Sequence, residues 1–487
     1  MNPDPVTSRR LWPWLVPAVG AALAWLWVCW CLFPVSVWND VRLAPSLALA
    51  RGVPLYAGEH AGAVTTWIYG PLPVLLWLPA ALAPTAAQAV AIAGLINLLT
   101  TVGAIAAVCA WWPAPRGTTL SGGERALAAA AAIAIWPFAA FQYLQADNVA
   151  VALGLVANLL LVRTSSRRGR WGAAGLAVAA LACKQTSVGV AAAQCVWLGA
   201  TAGWGEARRH AGRCAVLGLL LGAWMAASFD WAGLRLNLFT VPGHLPWAPH
   251  PVQRVIDLAP LLVIHLLLPG VILVAGRRRI WTRESPLLLP SLAWLCAWPA
   301  SAAALMKFGG TLNSLQSLGY WLPPALLLGC AMLRQRRAAI AWFAAAALAA
   351  AALCGLRLAR LREIPRLPLV EHYRQAANLA RLLPGEVWFP WNPLVTIYAE
   401  NRFDHVEDGL LMRFLAGRPL TMDDARRHLP PRMCVIALPH GGTEWGIALH
   451  FAPPDARTDD LGLWTLHSWR PGAVDLPPSR SQHPATP

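Results

Sequence analysis

Apolar residues run in segments of roughly 20 from Leu11 to about Gly355, broken by short arginine-rich stretches. Such a segment, wound as a helix, matches the hydrocarbon core of a bilayer, about 30 Å thick. Lipid offers the backbone no hydrogen-bond partner, so helices are the predicted spanning element. The pattern predicts spans near 11–33, 87–110, 125–142, 147–163, 171–186, 187–203, 212–229, 256–275, 286–306, 315–333 and 337–356, about eleven in all. The apolar run 71–83 would reach only about 20 Å as a helix and reads as a half-membrane or interfacial piece. Beyond 356 the pattern changes. Short apolar runs at 387–389 and 434–438 alternate with helix-like stretches at 370–383 and 421–428. The chain therefore divides into a transmembrane module (1–356), a small α/β domain (357–472) and a Pro- and Ser-rich tail (473–487) expected to be disordered.

Composition agrees with this division: 57% of the 487 residues are hydrophobic and only 13% charged. A net charge of +16 would point to nucleic acid in a soluble protein. Here the arginines cluster between spans, at 9–10, 163–170, 208–213, 277–283 and 334–337, as cytoplasmic loops require. No nucleic-acid partner is expected. The ten cysteines lie almost wholly in spans, without a disulfide framework or a CxxC metal pattern. No P-loop, dinucleotide fingerprint or nucleophile elbow occurs in a supporting context.

Placing every arginine cluster inside leaves the N-terminus cytoplasmic and the α/β domain external, provided 71–83 does not cross. Asp40, Glu59, Asp147, Lys184, Asp230 and Lys307 then share the outer face. Lys184 and Lys307 are the only lysines, and both end apolar segments. Each is either a snorkelling anchor or a compact cation for a phosphate. Asp40 sits near the start of a short amphipathic run, 41–50, where a helix dipole favours an ionised carboxylate. It reads as a loop acid or as a catalytic group. Asp147 and Asn148 open a span and read as capping residues or as part of a site. Gln185 lies beside Lys184 and is expected to face a cavity. Glu59 and His60 sit between Tyr56 and Tyr69; beside Asp40 they leave a divalent metal open, without a ligand spacing to support it. Asn313 follows Gly309 and Gly310 and either binds a polar ligand or begins a span.

An Asp just after the first span, a short helix, Gly-x-Pro-x-Tyr at 52–56 and Tyr-Gly-Pro-Leu at 69–72 resemble the first loop of GT-C integral-membrane glycosyltransferases. The likeness is greatest to family 87 and its polyprenol-phosphate-sugar-dependent relatives, with family 39 more distant. Gln-Ala-Asp-Asn at 145–148, Lys-Gln-Thr at 184–186 and Lys-Phe-Gly-Gly-Thr-Leu-Asn-Ser at 307–314 also resemble elements of such proteins. Two departures stand out: Asn39 precedes Asp40 where many relatives carry a second carboxylate, and Gly70 replaces the commoner proline.

The resemblance implies a GT-C-like helical membrane enzyme of the bacterial inner membrane. It would transfer a hexose or pentose, with inversion, from a polyprenyl-phosphate carrier to an external glycan, lipid or protein acceptor. Asp40 would be the base, Lys184, Lys307 and Gln185 would hold the donor phosphate, and Asp147, Asn148, Tyr56, Glu59, His60 and Asn313 would line or support the site. Besides the donor and that acceptor, membrane lipids are expected partners. A transporter or lipid flippase, and a non-catalytic membrane scaffold, are the competing readings.

Overall fold

The computed structural model describes residues 12–32, 36–253, 256, 282–332 and 369–469, apart from 61, 66, 115–117, 137–140, 142, 311 and 441–444. The expected spans 256–275 and 337–356 fall almost wholly outside the described residues, as does the tail 473–487.

Four described helices are long and apolar enough to cross a membrane: Ala86–Trp111, Ala146–Arg163, Trp204–Ser228 and Leu288–Met306. Trp12–Leu32, Arg167–Cys183 and Val188–Ala202 accompany them in the bundle. Their contacts bury a core in which small residues (Ala128, Ala157, Ala173, Ala193, Ala293) let backbones approach and Trp136, Trp321 and Leu326 fill the remaining space. One expected span is broken. Within the described part of 125–142, the helix Gly122–Ala134 is started by a capping box between Ser121 and Glu124. The run 315–333 splits into a 3₁₀ stretch, Leu312–Tyr320, and a helix, Leu322–Met332, with Pro323 and Pro324 opening the second piece.

The first loop carries helical elements of its own. Val37–Ala50 forms a helix whose residues 39–41 and 43–48 are buried, so it is covered by protein and does not float at an interface. The run 71–83 forms one short α-helix, Leu72–Trp77, continued by a 3₁₀ turn over Leu78–Leu82. It packs against the helix Val37–Ala50 through the bond from Ser46 Oγ to the Val74 carbonyl (2.9 Å).

Gly70 explains its departure from the expected proline. A β-carbon there would lie 1.8 Å from the Ala182 carbonyl oxygen, so no other residue fits without moving the end of Arg167–Cys183. Gly70→Ala is expected to cost about 3 kcal/mol in thermal unfolding of the detergent-solubilised protein. An unchanged melting temperature would show that the contact is looser than described.

The C-terminal segment carries a four-stranded sheet in the order β1-β2-β4-β3: Val387–Trp388, Val435–Pro439, Trp464–Ser468 and Arg457–Leu461. β1 and β2 are parallel, and the other pairs are antiparallel. Central β2 is apolar and buried throughout, whereas edge strand β3 carries Arg457, Asp459 and Asp460, charges that discourage pairing with another chain. The α/β expectation for this region matches the described elements. Its core is not separate, however. Leu43, Ala44 and Leu47 of the first loop share one buried cluster with Tyr373, Leu379, Val435 and Trp464. The domain is fused to the first loop by packing.

Candidate functional site

Asp40 occupies the first turn of Val37–Ala50 and is wholly buried. Its Oδ2 accepts hydrogen bonds from Asn392 Nδ2 (2.7 Å) and Tyr373 Oη (3.1 Å), both from the C-terminal domain. The Leu394 amide also favours the anion, while Oδ1 makes no hydrogen bond of ordinary geometry. Burial outweighs these donors and pushes the Asp40 carboxyl up to about 7. His372, stacked on Trp464 and brought down to about 4 by burial, lies 3.5 Å from Asn392 Nδ2. Asn39, next to Asp40, accepts the Leu144 N–H (2.7 Å) and ties this helix to the entry of Ala146–Arg163.

Lys184 ends Arg167–Cys183 in an extended conformation, which turns its side chain toward the start of Ala146–Arg163. There its Nζ meets Asp147 Oδ1 at 2.5 Å, with both side chains about nine-tenths buried. Asn313 Nδ2 donates to the other oxygen of Asp147 (3.3 Å). Thr186, Ser187, Ser301, Ser314, Ser317 and Tyr320 line a small cavity on this pair. Asp147 is therefore an ion-pair partner, while Gln145 takes the N-cap position. Asn148 donates to Asn97 Oδ1 (2.9 Å) and the Tyr143 carbonyl (2.8 Å).

The Tyr69 ring joins this pair to the first loop. Lys184 Nζ lies 5.5 Å and the Arg42 guanidinium 5.3 Å from its centroid, with Arg42 also 5.5 Å from Trp38. Arg42 follows Asp40 by two helical positions, so the two point to different sides of their helix. Arg42 Nη1 and both carboxylate oxygens of buried Asp408 lack hydrogen-bond partners, and proximity to Arg42 opposes the upward push of burial on Asp408.

The other candidates lie elsewhere. Lys307 Nζ donates to the carbonyls of Pro242 (2.8 Å) and Gly243 (3.1 Å) and faces Trp247. Gln185 Nε2 donates to the carbonyls of Ile68 (3.1 Å) and Leu238 (3.3 Å), where it clamps two loops. Tyr56 Oη donates to the Tyr69 carbonyl (2.7 Å). Glu59 pairs with Arg418 (3.5 Å) and His60 with Asp424 (2.9 Å), both toward the C-terminal domain. Among the described residues no group of three or more His, Cys, Asp or Glu is placed to hold a metal.

The structure thus brings Lys184, Asp147 and Asn313 together, and sets Asp40 and Lys307 in surroundings of their own. Arg42, Tyr373 and Asn392 escaped sequence reasoning, and Tyr69 was marked only as part of the Tyr-Gly-Pro-Leu stretch. Of the first three, Arg42 alone left a signal, as a charge inside a mostly apolar run beside Asp40.

Asp40, Asp404 and Asp408 all rise to about 7 through burial. Between the unfolded value near 3.8 and about 7 the folded chain holds protons that the unfolded chain releases, so stability falls as pH rises through that window. The melting temperature is expected to be several degrees lower at pH 8 than at pH 5. An equal or higher value at pH 8 would refute this.

No family profile and no curated protein matches the chain by sequence. Solved structures do match. ArnT from Cupriavidus metallidurans bound to undecaprenyl phosphate aligns with a TM-score of 0.55 at 10% identity, over 94% of this chain and 98% of that one. The apo structure of the same protein aligns at 0.50 with 14% identity, over 86% and 78%. Over nearly its whole length, therefore, the chain shares the fold of these ArnT structures.

Proposed function

We propose that the protein is a membrane glycosyltransferase that takes its sugar from a polyprenyl-phosphate carrier. The observation that carries this reading is the arrangement around the first-loop helix: a buried carboxylate near neutrality on one side, and on the other a guanidinium sharing Tyr69 with a buried ammonium. Fold likeness to a protein crystallised with undecaprenyl phosphate supports the carrier class.

In this mechanism Asp40 removes the acceptor hydroxyl proton as that oxygen attacks the anomeric carbon, with inversion. The bond from the anomeric carbon to the carrier phosphate oxygen breaks, and Lys184 and Arg42 neutralise the charge that grows on the departing phosphate. Asp147 and Asn313 hold Lys184 in place, and Asn148 and Gln185 fix the elements around it. Lys307 positions the 242–247 segment beside the donor. Tyr56, Glu59 and His60 anchor the first loop. Tyr373 and Asn392 cover Asp40, so an acceptor reaches the base only when this part of the C-terminal domain parts from it. That makes the domain the acceptor gate, on the external face of a bacterial inner membrane. The sugar is a hexose or a pentose.

The test is incubation of the purified protein in lipid nanodiscs with a panel of polyprenyl-phosphate hexoses and pentoses, scored for release of the carrier phosphate. At least one donor is expected to be consumed by the wild type and spared by Lys184→Gln. Movement of the intact donor across the bilayer without consumption would favour a flippase.

A further inference from the structure

Four arginines converge at the end of the bundle remote from Lys184. The ends of Arg167–Cys183, Val188–Ala202 and Trp204–Ser228 enclose an open groove of about 800 Å³, lined by Arg167, Arg170, Arg209, Arg213 and Glu206. Glu206 is the one carboxylate lining it and bonds Arg209 (2.8 Å) and Arg213 (2.9 Å). Arg170 lies within electrostatic reach of Glu206 and Arg213, yet its Nη1 is buried without a hydrogen-bond partner.

Topology alone asks only that cytoplasmic loops carry positive charge, and exposed, diverging arginines satisfy it. Convergence on one groove does the opposite: it brings like charges together and leaves a buried donor unmatched, at a cost. An anion with several oxygens removes both penalties, and a phosphate accepts paired guanidinium donors well.

The walls identify the source of that phosphate. Trp171 and Val216 line the same groove. Below Val216, one helical turn further into the bundle, Leu219 and Leu220 are 75% and 63% exposed. No residue in the most apolar stretch of Trp204–Ser228 is buried inside the protein. A phosphate in the groove that carries acyl chains would lay them along this open apolar face, whereas a free phosphate would leave it unused.

We propose that this groove binds the headgroup of an anionic phospholipid. Arg170 and Lys184 lie on one continuous helix and its cap, roughly 21 Å apart along the axis, so the lipid site and the candidate donor site occupy opposite ends of the same element. The inference requires a bilayer around the bundle but does not depend on sugar transfer.

Purified full-length protein in neutral detergent is titrated with phosphatidylglycerol, phosphatidylcholine or inorganic phosphate, and followed by thermal unfolding and native mass spectrometry. Phosphatidylglycerol is expected to raise the melting temperature by several degrees and to survive as a bound adduct, with phosphatidylcholine doing neither. The double variant Arg167→Gln/Arg170→Gln is expected to bind phosphatidylglycerol at least roughly tenfold more weakly. Arg167→Gln alone, at an exposed position, weakens it in the same direction and serves if the double variant fails to fold. An undiminished phosphatidylglycerol effect in the variants would overturn the groove as the site. A full shift with inorganic phosphate alone, or equal shifts with both lipids, would overturn the anionic lipid as its occupant.

Discussion

Asp40→Asn is expected to slow sugar transfer by roughly 10²–10⁴-fold while leaving the protein folded. The amide keeps the shape of the carboxylate and still accepts from Tyr373 and Asn392, but it cannot take the acceptor proton. Because burial disfavours the charged form of Asp40, the neutral variant should be at least as stable as the wild type at pH 8. The base works only when ionised, so wild-type transfer should climb as pH rises through about 7 and then level off. Tyr373→Phe removes a donor to the anion, raises the carboxyl further and should move that climb to higher pH. Full-rate transfer by a folded Asp40→Asn enzyme would eliminate Asp40 as the base, whatever the fate of the rest of the mechanism.

The second large effect concerns stability. Lys184→Met is expected to cost about 3–5 kcal/mol, because Asp147 would be left charged and nine-tenths buried with only Asn313 beside it. Asp147→Leu should cost a similar amount by stranding the ammonium. The double variant should recover most of the loss, since two apolar side chains need no compensation. Thermal unfolding of all four proteins gives the coupling between the two positions. If the double variant folds yet no longer consumes the donor, Lys184 acts on the substrate as well as on the fold. Additive losses would show that the pair is not coupled.

Much of the helical framework was legible in the sequence. The expected spans 87–110, 147–163 and 286–306 compare with helices Ala86–Trp111, Ala146–Arg163 and Leu288–Met306. Such boundaries are local: an apolar length, a capping side chain at Thr85, a break at Thr164. The α/β character of the C-terminal segment was equally local, written in the alternation of short apolar runs with helix-like stretches. Where neighbours decide, the reading failed. The run 315–333 is apolar enough for one span, yet it is two pieces.

The same division governs the site. The sequence alone marked Asp40, Asp147, Lys184 and Asn313 as chemically notable, because polar side chains at the ends of apolar segments are expensive unless matched. It could not say what matches them. Asp40 meets Tyr373 and Asn392 across separations of 333 and 352 residues, and Lys184 meets Asp147 across 37. Hydrophobic length and helical period are properties of a short stretch of chain, so the sequence by itself determined most of the helices, though not the break within 315–333. Which charge answers which is settled by packing between distant segments, and only the tertiary structure decided that Lys184 faces Asp147 while Asp40 is sealed beneath the C-terminal domain.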